Sequence, residues 1–198
     1  MPNSKAILGF RPHTGWTVAV SVGGSLANPK IIDRCRIEFG PPGEERFVYH
    51  RAAEGPHTKA AASIAKIRSA TAVQATRAIE SLLRELKNKG IAVHAAAVPT
   101  SRKPLPEKLD DILSAHSRIH AAEGAFYRDI VAAACADAGL KVHRVIEREL
   151  PALASALLPD GKRGLDPRLR EMGAALGPPW SEDQKLATLA AWIHLAEK

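Results

Sequence analysis

The sequence predicts an α/β fold in which a mixed five-stranded sheet, three antiparallel strands then parallel strands, is flanked by helices. Three observations carry this expectation. Residues 5–39 are rich in β-branched and aromatic residues broken by short turns. From residue 59 the apolar period changes from two to about 3.6. Two short apolar runs, at 91–98 and 140–146, each follow a helix-length segment that ends at a glycine. Strands joined as hairpins, followed by strands that alternate with helices, give a mixed sheet covered by helices.

Residues 5–11 and 16–22 read as strands joined by a five-residue turn that carries Arg11, His13 and Thr14 and contains Pro12 and Gly15. The third strand, "KIIDRCRIEF" at 30–39, places Ile31, Asp33, Cys35, Ile37 and Phe39 toward a core and Ile32, Arg34, Arg36 and Glu38 away from it. "GPPGEE" at 40–45 is a loop, and "RFVYH" at 46–50 reads as a strand extension or an anchored loop. A helix over 59–89 presents Ile64, Ile67, Val73, Ala75, Ile79, Leu82, Leu83 and Leu86 on one face, with Gly90 as its C-terminal stop.

"IAVHAAAV" at 91–98 suits a strand buried on both faces. Residues 107–138 read as one helix burying Leu109, Ile112, Leu113, Ile119, Phe126, Ile130 and Val131; Gly139 ends it, and the last strand follows at 140–146. A shorter helix begins near "ERELPALASALL", where Pro151 delays or kinks it. Residues 159–180 form a Gly/Pro/Arg-rich excursion with one helical turn near 169–176. Ser181 and Gln184 make a capping box for a final helix with Leu186, Leu189, Ala190 and Ile193 on its apolar face. Gly124 inside the 107–138 helix is expected to allow close approach of helix to sheet.

At 198 residues the chain is read as one domain, 1–198, with an ordinary apolar content of 45% and charged content of 25%. No run of about 18 apolar residues occurs, and residues 1–5 do not resemble a signal peptide, so no membrane contact and a cytoplasmic location are expected. Cys35 and Cys135 lack a C-x-x-C spacing and are expected to be buried free thiols. A net charge of +7 and pI of 9.6 favour polyanionic partners such as nucleic acid.

The order of elements, with "ILGFRPHTGWTVAV" at 7–20, resembles the ribonuclease H-like superfamily, and within it the RuvC-type Holliday-junction resolvases. In those enzymes the first strand runs Gly, Ile, Asp, Pro, Gly toward a Thr-Gly pair, and the aspartate is a metal ligand. Gly9 and Pro12 match, and Arg11 takes the aspartate's place. The family glutamate at the end of the fourth strand has no counterpart in "HAAAVPT". "EDQKLATLAAW" matches the start of the family's final helix, with Glu182 on its first acid and Lys185 on its second; a slip of two positions puts Asp183 there instead. The opening hairpin is also similar to that of the actin-like ATPases, whose two lobes need about twice this length. Two-metal phosphoryl transfer needs several carboxylates around a pair of ions, so Arg11 and Lys185 in the pocket argue against it.

Two classes of function follow. In the first, the chain is a non-catalytic ribonuclease H-like protein in which Arg11, His13, Thr14 and Lys185 contact nucleic acid or a protein partner, Arg being suited to bidentate anion contacts. In the second, a divergent nuclease rebuilds its carboxylate site from Glu123, Glu147, Glu182 and Asp183. No cofactor is expected in the first case, and Mg²⁺ or Mn²⁺ in the second. A regulatory partner or homo-oligomer is a third reading.

His116, His120 and Glu123 fall at i, i+4 and i+7, a spacing that suits a metal site or an internal hydrogen-bonded cluster. Glu147 and Glu149 are either site groups beyond a strand end or favourable first-turn residues. Trp180 reads as a loop anchor. Three Trp, two Tyr and four Phe, with no stripe on one strand, show no base-stacking platform. The chain has no G-x-S-x-G elbow, no Walker loop and no H-E-x-x-H helix.

Overall fold

Alternation with period two sorts the side chains of the first strand onto two faces, and each face is covered by a different set of helices. The structure is a computed structural model that describes residues 4–158 and 161–195. The strands are β1 (Ser4–His13), β2 (Trp16–Gly24), β3 (Pro29–Glu38), β4 (Ile91–Thr100) and β5 (Lys141–Ile146). They form one sheet in the order β3-β2-β1-β4-β5. The β1–β2 and β2–β3 pairs are antiparallel, and β1–β4 and β4–β5 are parallel. This is the five-stranded mixed sheet that the resemblance to ribonuclease H-like proteins implies.

The first hairpin is tighter than its sequence suggests. Pairing continues to His13↔Trp16, so the turn is Thr14 and Gly15 alone, with Gly15 at φ 83°. Arg11 and His13 therefore lie in β1 and not in a turn. Pro12 is accommodated because the β4 partner ends at Gly9↔Ala97, which leaves no ladder on that side to interrupt.

The helices among the described residues are α1 (Val48–Glu54), α2 (His57–Asn88), α3 (Leu109–Leu113), α4 (His116–Asp137), α5 (Leu150–Leu157), α6 (Gly161–Leu176) and α7 (Glu182–Trp192). Ala6, Leu8 and Phe10 join a core with α1, α2 and α4. Ile7 packs with Val18, Val20 and Val22 beneath Ala187 and Ala191 of α7. A third cluster joins Ala97 and Val145 to Leu residues of α5, α6 and α7. Ala95 to Pro99 are all buried, as expected for a strand covered on both faces.

Four local expectations are corrected. Residues 46–50 are not strand or loop: a 3₁₀ turn at Gly43–Arg46 leads into α1, which buries Val48, Tyr49 and Ala52 on one helical face. The 107–138 helix is broken after Leu113. Ser114 bonds back to the Asp111 carbonyl (3.0 Å) and Ala115 is extended, the local competition by which serine ends a helix. The excursion holds a 16-residue helix, α6, which buries Leu165 and Leu169 and packs Met172 partly buried beside them; Pro159 and Asp160 lie outside the described residues. Val73, expected in the core, is 51% exposed.

Two polar devices fix the last helices. The capping box of α7 is formed, with the Ser181 N–H donating to Gln184 Oε1 at 2.8 Å. Arg34, from the edge strand β3, donates to the carbonyls of Leu176, Gly177, Pro178 and Pro179 at 2.6–3.2 Å. One guanidinium thus satisfies the end of α6 and the loop into α7. Trp180 packs against Gly173, where a Cβ would strike its ring, and so anchors that loop.

Among the described residues no helix is long and apolar enough to cross a membrane. Cys135 is buried and Cys35 half-buried, and both are free. Burial pushes the Cys135 thiol up to about 12; burial, then the Asp33 and Glu85 charges, push Cys35 up to about 11. An unfolded thiol ionises near its ordinary 9.0 while folded Cys135 stays protonated, so this group favours unfolding as pH rises. Urea titrations between about pH 9 and 10.5 should show a loss from this source of up to about 1.4 kcal/mol per pH unit, which Cys135→Ala removes.

Candidate functional site

Because β1, β4 and β5 are parallel, their carboxyl ends share one edge of the sheet. Gly9, Arg11 and His13 have the same parity as Ile7 and face α7. Gly9 has no Cβ, and one placed there would strike the Ala187 carbonyl, so α7 lies directly on the strand. Asp183 is one turn before Ala187 on that stripe. It therefore sits over the end of β1, where His13 Nε2 donates to its Oδ1 at 2.9 Å.

Glu147 follows β5 immediately, and Arg11 Nη1 donates to its Oε2 at 3.0 Å. Arg11 Nε is 3.8 Å from Asp183 Oδ1, an ionic contact; this nitrogen is buried without a hydrogen-bond partner. The guanidinium thus lies between two carboxylates from different elements. The His13 ring stacks on Trp16 at 4.0 Å and 9°, and the Arg36 guanidinium lies 3.7 Å from the Trp16 ring centre.

Of the residues singled out in the sequence, the structure brings Arg11, His13, Glu147 and Asp183 together. Thr14 forms the neighbouring turn. Glu182 and Lys185 pair with each other across one helical turn at 3.7 Å, with Glu182 73% exposed. Helical rotation explains the difference: 183, 187 and 191 share the stripe against β1, and 182 and 185 do not.

Glu123 does not join the other carboxylates either. It is buried, and its oxygens accept the N–H groups of Val48 and Tyr49 at 2.9 Å each and of His50 at 3.4 Å. A carboxylate from α4 thereby serves as the N-terminal cap of α1. The set Glu123, Glu147, Glu182 and Asp183 is not convergent. Nor does Glu123 complete a metal site with His116 and His120 directly; His50 is the third side chain beside them.

A cavity of about 530 Å³ opens beyond the ends of β4 and β5. Arg102, Lys103, Arg128 and Arg148 line it against two carboxylates, Glu147 and Glu149. Both acids are engaged, Glu147 by Arg11 and Glu149 by Arg102. Arg128 is partly buried and its Nε has no hydrogen-bond partner. Desolvation lowers its pKa, against the opposing pull of the Glu147 and Asp129 charges. Gly124 makes room for this side chain: a Cβ there would lie 3.0 Å from Arg128 Nη1. The close approach expected at Gly124 is therefore to the arginine one turn later and not to the sheet.

Sequence reading gave Arg128 no place at the cavity and missed the roles of Arg34 and His50. Gly124 and Arg128 are four apart on one helix, so their contact had a signal in the spacing. Arg34 and His50 act across long separations and had none.

No protein-family profile matches the chain, and no curated protein matches it. Among solved structures, the Thermus thermophilus RuvC structure is similar over 96% of this chain and 92% of its own, at 14% identity and a TM-score of 0.49. T. thermophilus RuvC in complex with a Holliday junction substrate is similar over the same shares, at 13% identity and a TM-score of 0.49.

Removing the Glu123 carboxylate leaves buried N–H groups of α1 without a partner. Glu123→Ala should lower stability in urea titrations by about 3 kcal/mol. Arg11→Ala should cost about 1 kcal/mol, because its carboxylate partners are partly solvated.

Proposed function

We propose that this chain is a non-catalytic protein of ribonuclease H-like architecture that binds nucleic acid at the edge where β1, β4 and β5 end. The observation that carries this reading is the Arg11 guanidinium between Glu147 and Asp183. Divalent ions in two-metal phosphoryl transfer need carboxylates free to hold them. Here the two acids that converge already neutralise a fixed cation, and an ion placed between them would meet Arg11. The residues present do not fit a Mg²⁺ or Mn²⁺ pair.

The same edge suits phosphate. With Glu147 paired to Arg11 and Glu149 to Arg102, the Lys103, Arg128 and Arg148 charges exceed what the cavity carboxylates offset and leave the lining net positive. Arg128 is held partly desolvated, which strengthens its attraction for an anion relative to an exposed arginine. Lys103 and Arg148 act as point charges and forks for successive phosphates. The +7 net charge adds long-range attraction.

The test is fluorescence anisotropy with labelled duplex, single-stranded, RNA–DNA hybrid and four-way-junction substrates at two salt concentrations, with Mn²⁺ or EDTA. Binding should weaken steeply with salt, with no cleavage in either condition. The double variant Lys103→Ala/Arg148→Ala should reduce the slope of log K against log salt by about two. Mn²⁺-dependent cleavage that is lost in Glu147→Ala and Asp183→Ala would overturn the non-catalytic reading in favour of a divergent nuclease. Absence of binding to every substrate would overturn the nucleic-acid reading and direct attention to protein partners.

A further inference from the structure

The second polar cluster of the molecule is built on α1 and α4 and is independent of the Arg11 edge. His116 and His120 lie one turn apart on α4, both exposed, with their Nε2 atoms 2.8 Å from each other. The His50 ring, from α1, meets them edge-on with ring centres 5.6 and 4.6 Å away. One nitrogen from each of the three lies within 4.8 Å of the other two.

Glu123 gives this cluster its chemistry. Its Oε2 accepts from His50 Nδ1 at 3.1 Å. A carboxylate can only accept, so the proton of a neutral His50 is on Nδ1 and the lone pair on Nε2. A histidine oriented by a buried carboxylate is the arrangement by which proteins fix the tautomer and raise the basicity of a metal-binding imidazole. The same carboxylate caps α1, so the helix that carries His50 and the ring itself are held by one group.

We infer that His50, His116 and His120 form a Zn²⁺ site with Glu123 as its outer carboxylate. Three neutral imidazoles suit a borderline cation such as Zn²⁺, Co²⁺ or Ni²⁺ and disfavour Mg²⁺ and Ca²⁺, which take oxygen ligands. In a tetrahedral site with metal–nitrogen bonds of about 2.0–2.1 Å, ligand nitrogens are about 3.3 Å apart. The 2.8 Å pair needs to open by a few tenths of an ångström, within reach of the exposed His116 and His120 side chains, and the half-buried His50 ring to turn inward on its Glu123 hydrogen bond. Three protein ligands leave a fourth position for water, which the exposure of His116 and His120 admits. Without a cation, the two close Nε2 atoms satisfy each other only if one is protonated and the other is not. A metal takes the lone pairs of both.

The test uses the tag-free full chain after treatment with EDTA and dialysis. Co²⁺ is titrated while the visible absorption is read, and Zn²⁺ is then added in competition with a chromogenic chelator. One Co²⁺ per chain with the intense bands of four-coordinate cobalt, displaced by one Zn²⁺, is the expected result. His116→Gln/His120→Gln should abolish binding, and His50→Gln should weaken it by at least about tenfold, with circular dichroism unchanged. Arg11→Ala should bind as the parent does. Zinc uptake no greater than that of the double variant, or only the weak spectrum of hexaaqua cobalt, would overturn the site.

Discussion

The contact of α7 on β1 determines what the sheet edge can do. Gly9 presents bare backbone to the helix, and Ala187 and Ala191 present only methyl groups, so the helix lies as near the strand as backbone allows. A larger residue at any of these positions would lift α7 and withdraw Asp183 from His13 and Arg11. The far end of the helix is fixed by Trp192, fully buried with its Nε1 donating to the Leu26 carbonyl at 2.9 Å. The near end is fixed by the capping box and by the carbonyl fork of Arg34. With both ends held, the place of Asp183 is a consequence of packing and not of its own ion pairs.

That ordering explains why an arginine is tolerated at the end of a central strand. Asp183 and Glu147 are brought to one place by α7 and β5, and two carboxylates at short range repel. Arg11 supplies a positive charge that is part of the chain, permanently protonated and directed by its planar fork. A metal ion in such a place can exchange and gather water; a guanidinium tethered through β1 does neither. What stands at this edge is an ion pair beside a basic cavity.

Much of this was legible in the residue pattern. The alternation in β1, the change of period at residue 59, the buried β4 run and the Ser181/Gln184 box all depend on neighbours within one or two turns. The parity of Gly9, Arg11 and His13 also follows from the sequence once His13 is placed in the strand. Features set by distant partners were not legible. α1 forms where a strand was a fair expectation because Glu123, 75 residues after Val48, satisfies its first N–H groups. The choice between Lys185 and Asp183 at the edge is a matter of rotation about α7, which is fixed by Gly9 on another element. Arg34 looked like an outward residue of an edge strand, and its partners are carbonyls more than 140 residues away.

The composition of α4 makes sense as the sum of three demands on one cylinder. Ile119, Phe126, Ile130 and Ala134 face the core under the sheet. Glu123 is buried on the side toward α1, where a carboxylate is favoured by the N–H groups it meets. Gly124 and Arg128 fall one position around, and there the missing Cβ lets a guanidinium lie along the helix at the cavity. A helix with a single solvent face would place its polar residues in one stripe. This one keeps His116, His120 and Glu123 on one stripe toward α1 and turns Arg128 to another side, toward the cavity, because it packs on α1, α2, β4 and β5. The histidine cluster and the cavity therefore share one element, with the histidines at its first turns and the cavity-lining Arg128 two to three turns further on.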